Sequence, residues 1–263
     1  MSEVARLKDV RIIRDGRTIL SVDELVLEEG QRWAVLGPNG SGKSTLLSIL
    51  AGRCWPTQGT VWLLGEQVGR VDLRTLRGRL GLHSATLAKQ LRASLRVHDA
   101  VVTGTDGALE TWWAEYAEED LTRADALLDE LGVGALRDSQ VGLVSEGERA
   151  RILLARVLIA APDLLLLDEP AAGLDLGARE DLLARLGSLF DSPSLPGAVL
   201  VTHHLEELPP GLSHAALLRD GRIVAAGPID EVVATEPVSA AFGLPVEVAR
   251  LGGGRFAARA AGG

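Results

Sequence analysis

Cysteine is nearly absent from this chain of 263 residues, since Cys54 is the only one. A single thiol excludes an intramolecular disulfide and any metal site built from several cysteines of one chain. Aromatic residues make up only 3%, so the interior has to be filled mainly by Leu, Val, Ala and Ile. The hydrophobic fraction of 46% is ordinary for a globular protein, and the length suffices for one large α/β domain or two small ones.

Long apolar runs are also missing. No stretch of about 18 apolar residues occurs, which excludes a membrane-spanning helix by the usual length criterion. Residues 1–6 lack the apolar core of a signal peptide. We therefore predict a cytosolic protein, which can still dock on a membrane component.

Positive charge is scarce and dispersed. The formal net charge is −9, and the only lysines are Lys8, Lys43 and Lys89. Nothing resembles the concentrated basic patch of a nucleic-acid-binding protein, so no nucleic-acid partner is expected.

One of those lysines lies in a glycine-rich stretch that fits the phosphate-loop pattern G-x-x-x-x-G-K-[ST]. The stretch reads Gly37, Pro38, Asn39, Gly40, Ser41, Gly42, Lys43, Ser44, Thr45. Its glycines let backbone N–H groups turn inward, and with the start of the next helix these groups form a cradle for phosphate oxygens. Lys43 would place its charge on the β- and γ-phosphates, and the Ser44 hydroxyl would be a ligand of Mg²⁺. The alternative is a glycine-rich turn with a solvated lysine. The flanking pattern argues against it, because residues 32–36 predict a buried strand and residues 45–51 a helix.

A second candidate site begins where another apolar strand ends. Residues 164–167 are four leucines, a pattern typical of a central parallel strand that is buried on both faces. Asp168 and Glu169 follow directly. Asp168 would hold Mg²⁺ beside Ser44, and Glu169 would polarise an attacking water. A strand-end turn is the structural alternative, but two adjacent acids beside a buried strand are costly without a cation.

Two further segments have both a structural and a functional interpretation. Ser145-x-x-Glu148 fits a capping box, while the same helix N-terminus, with Gly147, could meet the γ-phosphate of a nucleotide held by another copy. His203 follows a predicted strand at 198–202 and could sense a γ-phosphate, although a lone histidine is more often structural.

The order of these motifs resembles the ATP-binding-cassette (ABC) ATPases along residues 5–230. Residues 144–149 resemble the family signature, 164–170 the Walker B segment with its catalytic glutamate, 172–175 the D-loop that ends in Asp175, and 202–203 the H-switch. Residues 201–209 and the short helical section are similar to the ModF-like branch.

The resemblance implies an α/β fold of the P-loop NTPase class: a RecA-like core, an antiparallel β subdomain and an inserted α-helical subdomain at about 79–150. The ATP-binding domain would cover residues 1–230 and a C-terminal extension residues 231–263. From Gly252 the chain is rich in Gly, Ala and Arg, and we expect it to be frayed.

The resemblance also implies ATP and Mg²⁺ as ligands, with Lys43, Glu169 and His203 acting in hydrolysis. Two copies would sandwich two ATP molecules, and each phosphate loop would face Ser145 and Gly147 of the other copy. Asp175 would also line this nucleotide site.

Three positions depart from the family pattern. Ala85 stands where the Q-loop glutamine is expected, which links Mg²⁺ and the attacking water to the transmembrane partner. Arg14 aligns with the aromatic residue that stacks on adenine, and a guanidinium can also stack on a base. Glu146 replaces a glycine of the signature. A carboxylate near a γ-phosphate would repel it, so we predict that Glu146 points to solvent.

Three functions fit these features. The first is the ATPase subunit of an ABC transporter, bound to a separate transmembrane permease at the inner face of the cell membrane. The second is a soluble ABC switch in a non-transport process, motivated by Ala85 and the single cassette. The third is a regulatory module with little turnover, against which Asp168, Glu169 and His203 argue.

Two surfaces are candidates for contact with a partner. The helix predicted at 120–131 is the expected permease face, by analogy. Trp112, Trp113 and Tyr116 are predicted to form a small local core, with a docking face as the alternative.

Overall fold

The computed structural model describes residues 2–84, 89–110, 115–193 and 195–262. Ala85, Trp112 and Trp113, singled out above, lie outside the described residues. Tyr116 packs against the main core, and the small local core predicted for the three aromatic residues stays a prediction.

The described residues form strands and α-helices whose bounds follow. The strands are β1 (Glu3–Arg14), β2 (Arg17–Glu28), β3 (Arg32–Leu36), β4 (Gln58–Leu63), β5 (Glu66–Gln67), β6 (Leu80–His83), β7 (Leu164–Asp168), β8 (Ala198–Val201), β9 (His214–Arg219), β10 (Arg222–Pro228), β11 (Val246–Arg250) and β12 (Phe256–Ala260). The helices are α1 (Lys43–Leu50), α2 (Leu73–Gly78), α3 (Val97–Val102), α4 (Glu118–Glu130), α5 (Glu146–Leu158), α6 (Leu176–Phe190), α7 (Ile229–Val232) and α8 (Thr235–Phe242).

Ten of the strands form one mixed sheet in the order β5-β4-β1-β2-β10-β9-β3-β8-β7-β6. Strands β9, β3, β8, β7 and β6 run parallel to one another, while β10 pairs antiparallel with β9. The N-terminal strands β1, β2, β4 and β5 pair antiparallel, and the pair Arg222 and Ser21 joins them to β10. The architecture is therefore the predicted one, with a parallel core and an antiparallel portion.

The parallel half of the sheet has a hydrophobic core on each face. Leu165 and Leu167 of β7 belong to the core that contains α5 and α6, while Leu164 and Leu166 belong to the core that contains α1. All four are at most 1% exposed. This burial on both faces is what the run of leucines predicts.

Helices α3 and α4 lie between β6 and β7 in the chain and share a core with α5. Arg156 of α5 is buried, donates to the Ala100 carbonyl oxygen at 2.6 Å, and also donates to the Thr103 hydroxyl and the Ala108 carbonyl oxygen. These bonds fix α3 against α5. The boundary of a helical subdomain at 79–150 stays a prediction, and β6 within it is a strand of the large sheet.

The longest helix of the described ranges, α6, has 15 residues. None of the helices described is both long and apolar enough to cross a lipid bilayer.

Residues 246–260 form regular structure, so the expectation of fraying from Gly252 was wrong. Strand β11 pairs antiparallel with β12 in a separate two-stranded sheet. Gly252–Gly254 forms the turn between them. Phe256 is 4% exposed and belongs to the main core. Long-range burial of this ring holds a segment whose local composition favours disorder.

Candidate nucleotide site

The phosphate loop lies between β3 and α1, at the carboxyl end of a central parallel strand. Two of its glycines are required by the backbone. Gly37 has φ 152°, and a Cβ there would lie 2.2 Å from the Leu218 carbonyl oxygen. Gly42 has φ 102° and precedes α1, whose N-terminus receives no side-chain cap. The first N–H groups of α1 are thus left to bind an anion.

Lys43 is 5% exposed and folds back on this loop. Its ammonium group donates to the carbonyl oxygens of Gly37 at 2.8 Å and Pro38 at 3.0 Å. Burial lowers the pKa of Lys43, while Glu169 and Asp168 act in the opposite direction. The Ser41 hydroxyl is buried and has no hydrogen-bond partner among the described residues. A bound phosphate would satisfy both groups.

The side chains of Ser44 and Asp168 lie close together, because the phosphate loop and the carboxyl end of β7 lie at the same edge of the sheet. The Ser44 hydroxyl donates to Asp168 Oδ1 at 3.4 Å. Burial, and then the neighbouring Glu169, raise the pKa of Asp168, while Ser44 and Lys43 act in the opposite direction. Two hard oxygen donors side by side fit Mg²⁺, which takes one or two protein ligands together with phosphate and water oxygens. The donor set therefore agrees with the predicted metal ligands.

Glu169 and His203 form the second contact of the site. Strands β7 and β8 are neighbours, and His203 Nδ1 lies 2.9 Å from Glu169 Oε1. Glu169 has φ 47°, a backbone conformation that costs a non-glycine residue energy and clusters at functional sites. Its N–H donates to the Val201 carbonyl oxygen at 2.9 Å. The fold thus aims the glutamate at the histidine predicted to act with it.

The remaining predicted residues lie at two helix N-termini. Ser145 forms the predicted capping box with Glu148 at the start of α5. Gly147 is buried, and a Cβ there would lie 2.6 Å from Ala178 Cβ. Asp175 caps α6 by accepting from the Ala178 N–H at 2.9 Å. Among the described residues, none of the three hydrogen-bonds to the phosphate loop, so each has a structural role within its own chain.

The departures from the family pattern have different outcomes. Arg14 is exposed at the end of β1, and its stacking on a base stays a prediction. Glu146 is exposed, as predicted. Ala85 lies outside the described residues, so its position is not compared.

Sequence reasoning missed His83, the last residue of β6. It pairs with Leu167 of β7, one residue before Asp168. Its side chain is buried, and neither ring nitrogen has a partner among the described residues. Burial lowers the pKa of His83 to about 4, so the ring is neutral near pH 7. The available signal was a histidine at the end of an otherwise apolar strand.

The family model described as ABC transporter matches residues 20–172. The chain belongs to this family. An ABC transporter ATP-binding protein of Streptococcus mutans serotype c is 33% identical over 95% of this chain and 96% of its own length. The cobalt import ATP-binding protein CbiO of Rhodobacter capsulatus is 36% identical over 84% of this chain and 76% of its own length. The structure of cbiO1 from Clostridium perfringens, part of the ABC transporter complex cbiONQ, superposes with a TM-score of 0.77 and 25% identity over 91% of this chain and 94% of that one.

Membership of the ABC family confirms several predictions. The fold is the α/β P-loop ATPase fold, the activity is ATP hydrolysis, and the chain is the ATP-binding subunit of an ABC transporter. The transporter hypothesis is thereby favoured over the soluble switch. The roles of individual residues stay predictions, which the geometry above supports.

The raised pKa of Asp168 predicts a stability effect in the absence of nucleotide and Mg²⁺. Because folding raises this pKa, the ionised Asp168 carboxylate lowers the free energy of unfolding. The loss is complete at a pH above the pKa of the folded state, and it is absent at a pH below the pKa of the unfolded chain. We expect Asp168→Asn to raise Tm at pH 8 by roughly 2–4 °C, with a gain that shrinks as the pH falls through the pKa of Asp168. Thermal unfolding followed by circular dichroism measures this.

The matched control is Asp23→Asn, which changes an exposed aspartate of β2 and should leave Tm nearly unchanged. A Tm gain at Asp168 that is equal at every pH, or no gain at all, contradicts the electrostatic explanation.

Proposed function

We propose that this ABC transporter subunit hydrolyses ATP with Lys43, Ser44, Asp168, Glu169 and His203. The observation that carries the proposal is a pair of contacts at the ends of neighbouring structural elements. Ser44 meets Asp168 at 3.4 Å, and Glu169 meets His203 at 2.9 Å. One contact supplies metal ligands and the other a base with a partner that orients it.

Binding of ATP begins at the loop of residues 37–45. Its inward N–H groups and the N-terminus of α1 take the phosphates. Lys43 exchanges its bonds to the Gly37 and Pro38 carbonyl oxygens for bonds to the β- and γ-phosphates. Ser44 and Asp168 would hold Mg²⁺, which when bound neutralises charge on the phosphate oxygens. Arg14 would stack on the base.

Hydrolysis then depends on Glu169. Its carboxylate orients a water and accepts a proton from it as the water oxygen attacks the γ-phosphorus and the bond to ADP breaks. With a proton on Nδ1, His203 donates to Glu169 Oε1 and holds the carboxylate in place. His203 Nε2 donates to the γ-phosphate, as predicted for the H-switch, when this second ring nitrogen also carries a proton.

A second copy of the chain would complete the site. Ser145, Gly147 and Asp175 mark the N-termini of α5 and α6, which do not reach the phosphate loop of their own chain. The two most exposed large apolar side chains of the described residues are Leu143 at 79% and Leu176 at 67%, and they flank these positions. Exposed leucines beside two helix N-termini fit an interface that closes over ATP.

The other proposed partner is a transmembrane permease, which would place this subunit in the cytoplasm at the inner face of the membrane. Because one relative is named for cobalt import, we propose import as the direction of transport. We also propose the narrower ModF-like branch, on the resemblance of residues 201–209 and the short helical section, and the division of the chain at 230.

A basic groove offers a docking place for that permease. It has a volume of about 340 Å³, and its charged lining residues are Arg53, Arg74, Arg77, Arg156 and Asp106. Burial, and then the neighbouring Arg77, lower the pKa of Arg53. In a chain of net charge −9, such a groove fits an acidic segment of a partner. This groove is an alternative to the permease face predicted on α4.

Substitutions at the catalytic positions test the proposed site. We expect Glu169→Gln to lower kcat for ATP hydrolysis by roughly 10²–10⁴-fold while ATP still binds, because the general base is lost but the phosphate cradle remains. We expect Lys43→Ala to weaken ATP binding as well. Phosphate release and calorimetric titration with ATP measure the two effects.

Glu130→Gln is the matched control, since Glu130 is an exposed glutamate at the end of α4. It should retain normal turnover. If Glu169→Gln and Lys43→Ala hydrolyse ATP as fast as the unmodified protein, the proposed mechanism is wrong.

The groove is tested by reversing one charge in the Glu169→Gln background. Tagged protein is purified from its own host in mild detergent, and co-purifying proteins are identified by mass spectrometry. We expect a multi-span membrane protein at near-equal amount, and we expect Arg74→Glu to lose it because an acidic segment is then repelled. Arg74 is exposed, and no hydrogen bond of its side chain is described.

The control is Arg123→Glu, which reverses an exposed charge on α4 and should retain the membrane protein. Loss with Arg123→Glu and retention with Arg74→Glu would instead assign docking to α4. Absence of any membrane protein from the unaltered Glu169→Gln sample would contradict the permease itself.

A further inference from the structure

One arginine beside the C-terminal hairpin of β11 and β12 contacts two elements of the catalytic core. Arg255 directly precedes β12, which begins at the buried Phe256. Its Nη1 donates to Glu180 Oε2 at 2.7 Å, and its Nη2 to Glu180 Oε1 at 3.3 Å. The same Nη2 donates to the Glu206 carbonyl oxygen at 2.6 Å. The guanidinium therefore bridges two separate elements with one rigid fork.

These contacts are part-buried. The Arg255 side chain is 20% exposed and that of Glu180 is 44% exposed. The hydrogen bond from Arg255 is the main cause that lowers the pKa of Glu180. A second hydrogen bond joins the hairpin to Glu206, because the Ala258 N–H donates to Glu206 Oε1 at 3.3 Å.

One of the bridged elements carries the proposed switch histidine. Glu206 belongs to the turn Leu205–Glu207, which begins two residues after His203. On its buried side, the turn is held by the Thr202 hydroxyl. This hydroxyl donates to the buried Glu207 and accepts from the His204 N–H at 3.1 Å. From outside, the turn is fixed by Arg255 and Ala258. His203 therefore lies just before a turn that is held from two sides.

The other bridged element is α6, which begins after Asp175. Glu180 lies in the second turn of α6, five residues beyond that cap. Asp181, its neighbour, pairs with Arg151 of α5. Arg255 thus connects the His203 turn to the two helices whose N-termini carry Asp175 and Ser145.

We propose that Arg255 is a positioning residue for ATP hydrolysis. It holds the turn after His203 against α6, so that His203 Nδ1 stays within bonding distance of Glu169. Because catalysis is sensitive to displacements of about 1 Å, release of this turn lowers turnover without removing any group that binds ATP. The proposal rests on the role given to His203 above.

The chain contains a matched control for this contact. Arg259 of the same hairpin donates to Glu247 Oε2 at 2.9 Å and 2.6 Å, but this pair stays within the hairpin. Each of the two arginines pairs with a glutamate, Arg255 with Glu180 and Arg259 with Glu247. Only Arg255 reaches α6 and the His203 turn.

The first measurement is the steady-state kinetics of ATP hydrolysis by Arg255→Gln, Arg255→Lys and Arg259→Gln. We expect Arg255→Gln to lower kcat by roughly three- to tenfold and to change KM for ATP by less than about twofold. Arg255→Lys should recover only part of kcat, because a point charge does not bridge both partners. Arg259→Gln should match the unmodified protein.

The second measurement is a double-mutant cycle with His203→Ala, which separates positioning from general stabilisation. If Arg255 acts through His203, Arg255→Gln has less than about a twofold further effect on kcat when His203 is already alanine. If Arg255→Gln lowers kcat by the same factor in the unmodified protein and in His203→Ala, the positioning role is overturned. It is also overturned if Arg255→Gln alone leaves kcat unchanged. If His203→Ala alone hydrolyses ATP normally, the proposed function fails instead.

Glu180, the partner of Arg255, provides a second test in case Arg255→Gln does not fold. Should Arg255→Gln fail to give folded protein by circular dichroism, Glu180→Gln weakens the same fork on α6, and the same cycle with His203→Ala applies. A normal kcat for folded Glu180→Gln would then overturn the proposal.

Discussion

The structure depends on charged side chains that lie at the edge of a parallel sheet, where they are partly buried. Lys43, Asp168 and Glu169 lie at the carboxyl ends of central strands, and burial opposes the charged forms of Lys43 and Asp168. In the protein without ligand these groups satisfy one another only in part, since Lys43 turns to loop carbonyl oxygens and the Ser44–Asp168 bond is long. The phosphates of ATP, and the divalent cation that we propose beside them, would give these buried groups further partners.

Strand order is what brings these groups together. β3 delivers the phosphate loop, β7 delivers Asp168 and Glu169, and β8 delivers His203, and β8 lies between the other two in the sheet. Their side chains come from positions up to 160 residues apart in the chain (203 − 43). Ligand sites outside the carboxyl ends of strands are the general rule for such sheets. Here the rule also explains why α1, the helix that follows β3, begins at the site.

The parts of the molecule that could be predicted from the sequence are those that local chemistry determines. The loop of residues 37–45 needs glycines, a run of four leucines can be buried on both faces, and Ser145 with Glu148 can cap only a helix N-terminus. The C-terminal hairpin was missed because burial of Phe256 is a long-range effect that Gly252–Gly254 obscures. The burial of His83 and the reach of Arg255 were missed for the same reason, since each depends on which distant elements pack together.

The measurement that tests the central claim most directly is the mass of the Glu169→Gln protein in solution with and without ATP and Mg²⁺, by sedimentation equilibrium. A single chain has a mass of 27.8 kDa. We propose that the helix N-termini at Ser145 and Asp175 complete the phosphate loop of a second copy, which predicts a monomer without ATP and a species of twice that mass at saturating ATP. A monomer that binds ATP but keeps the mass of one chain would contradict it.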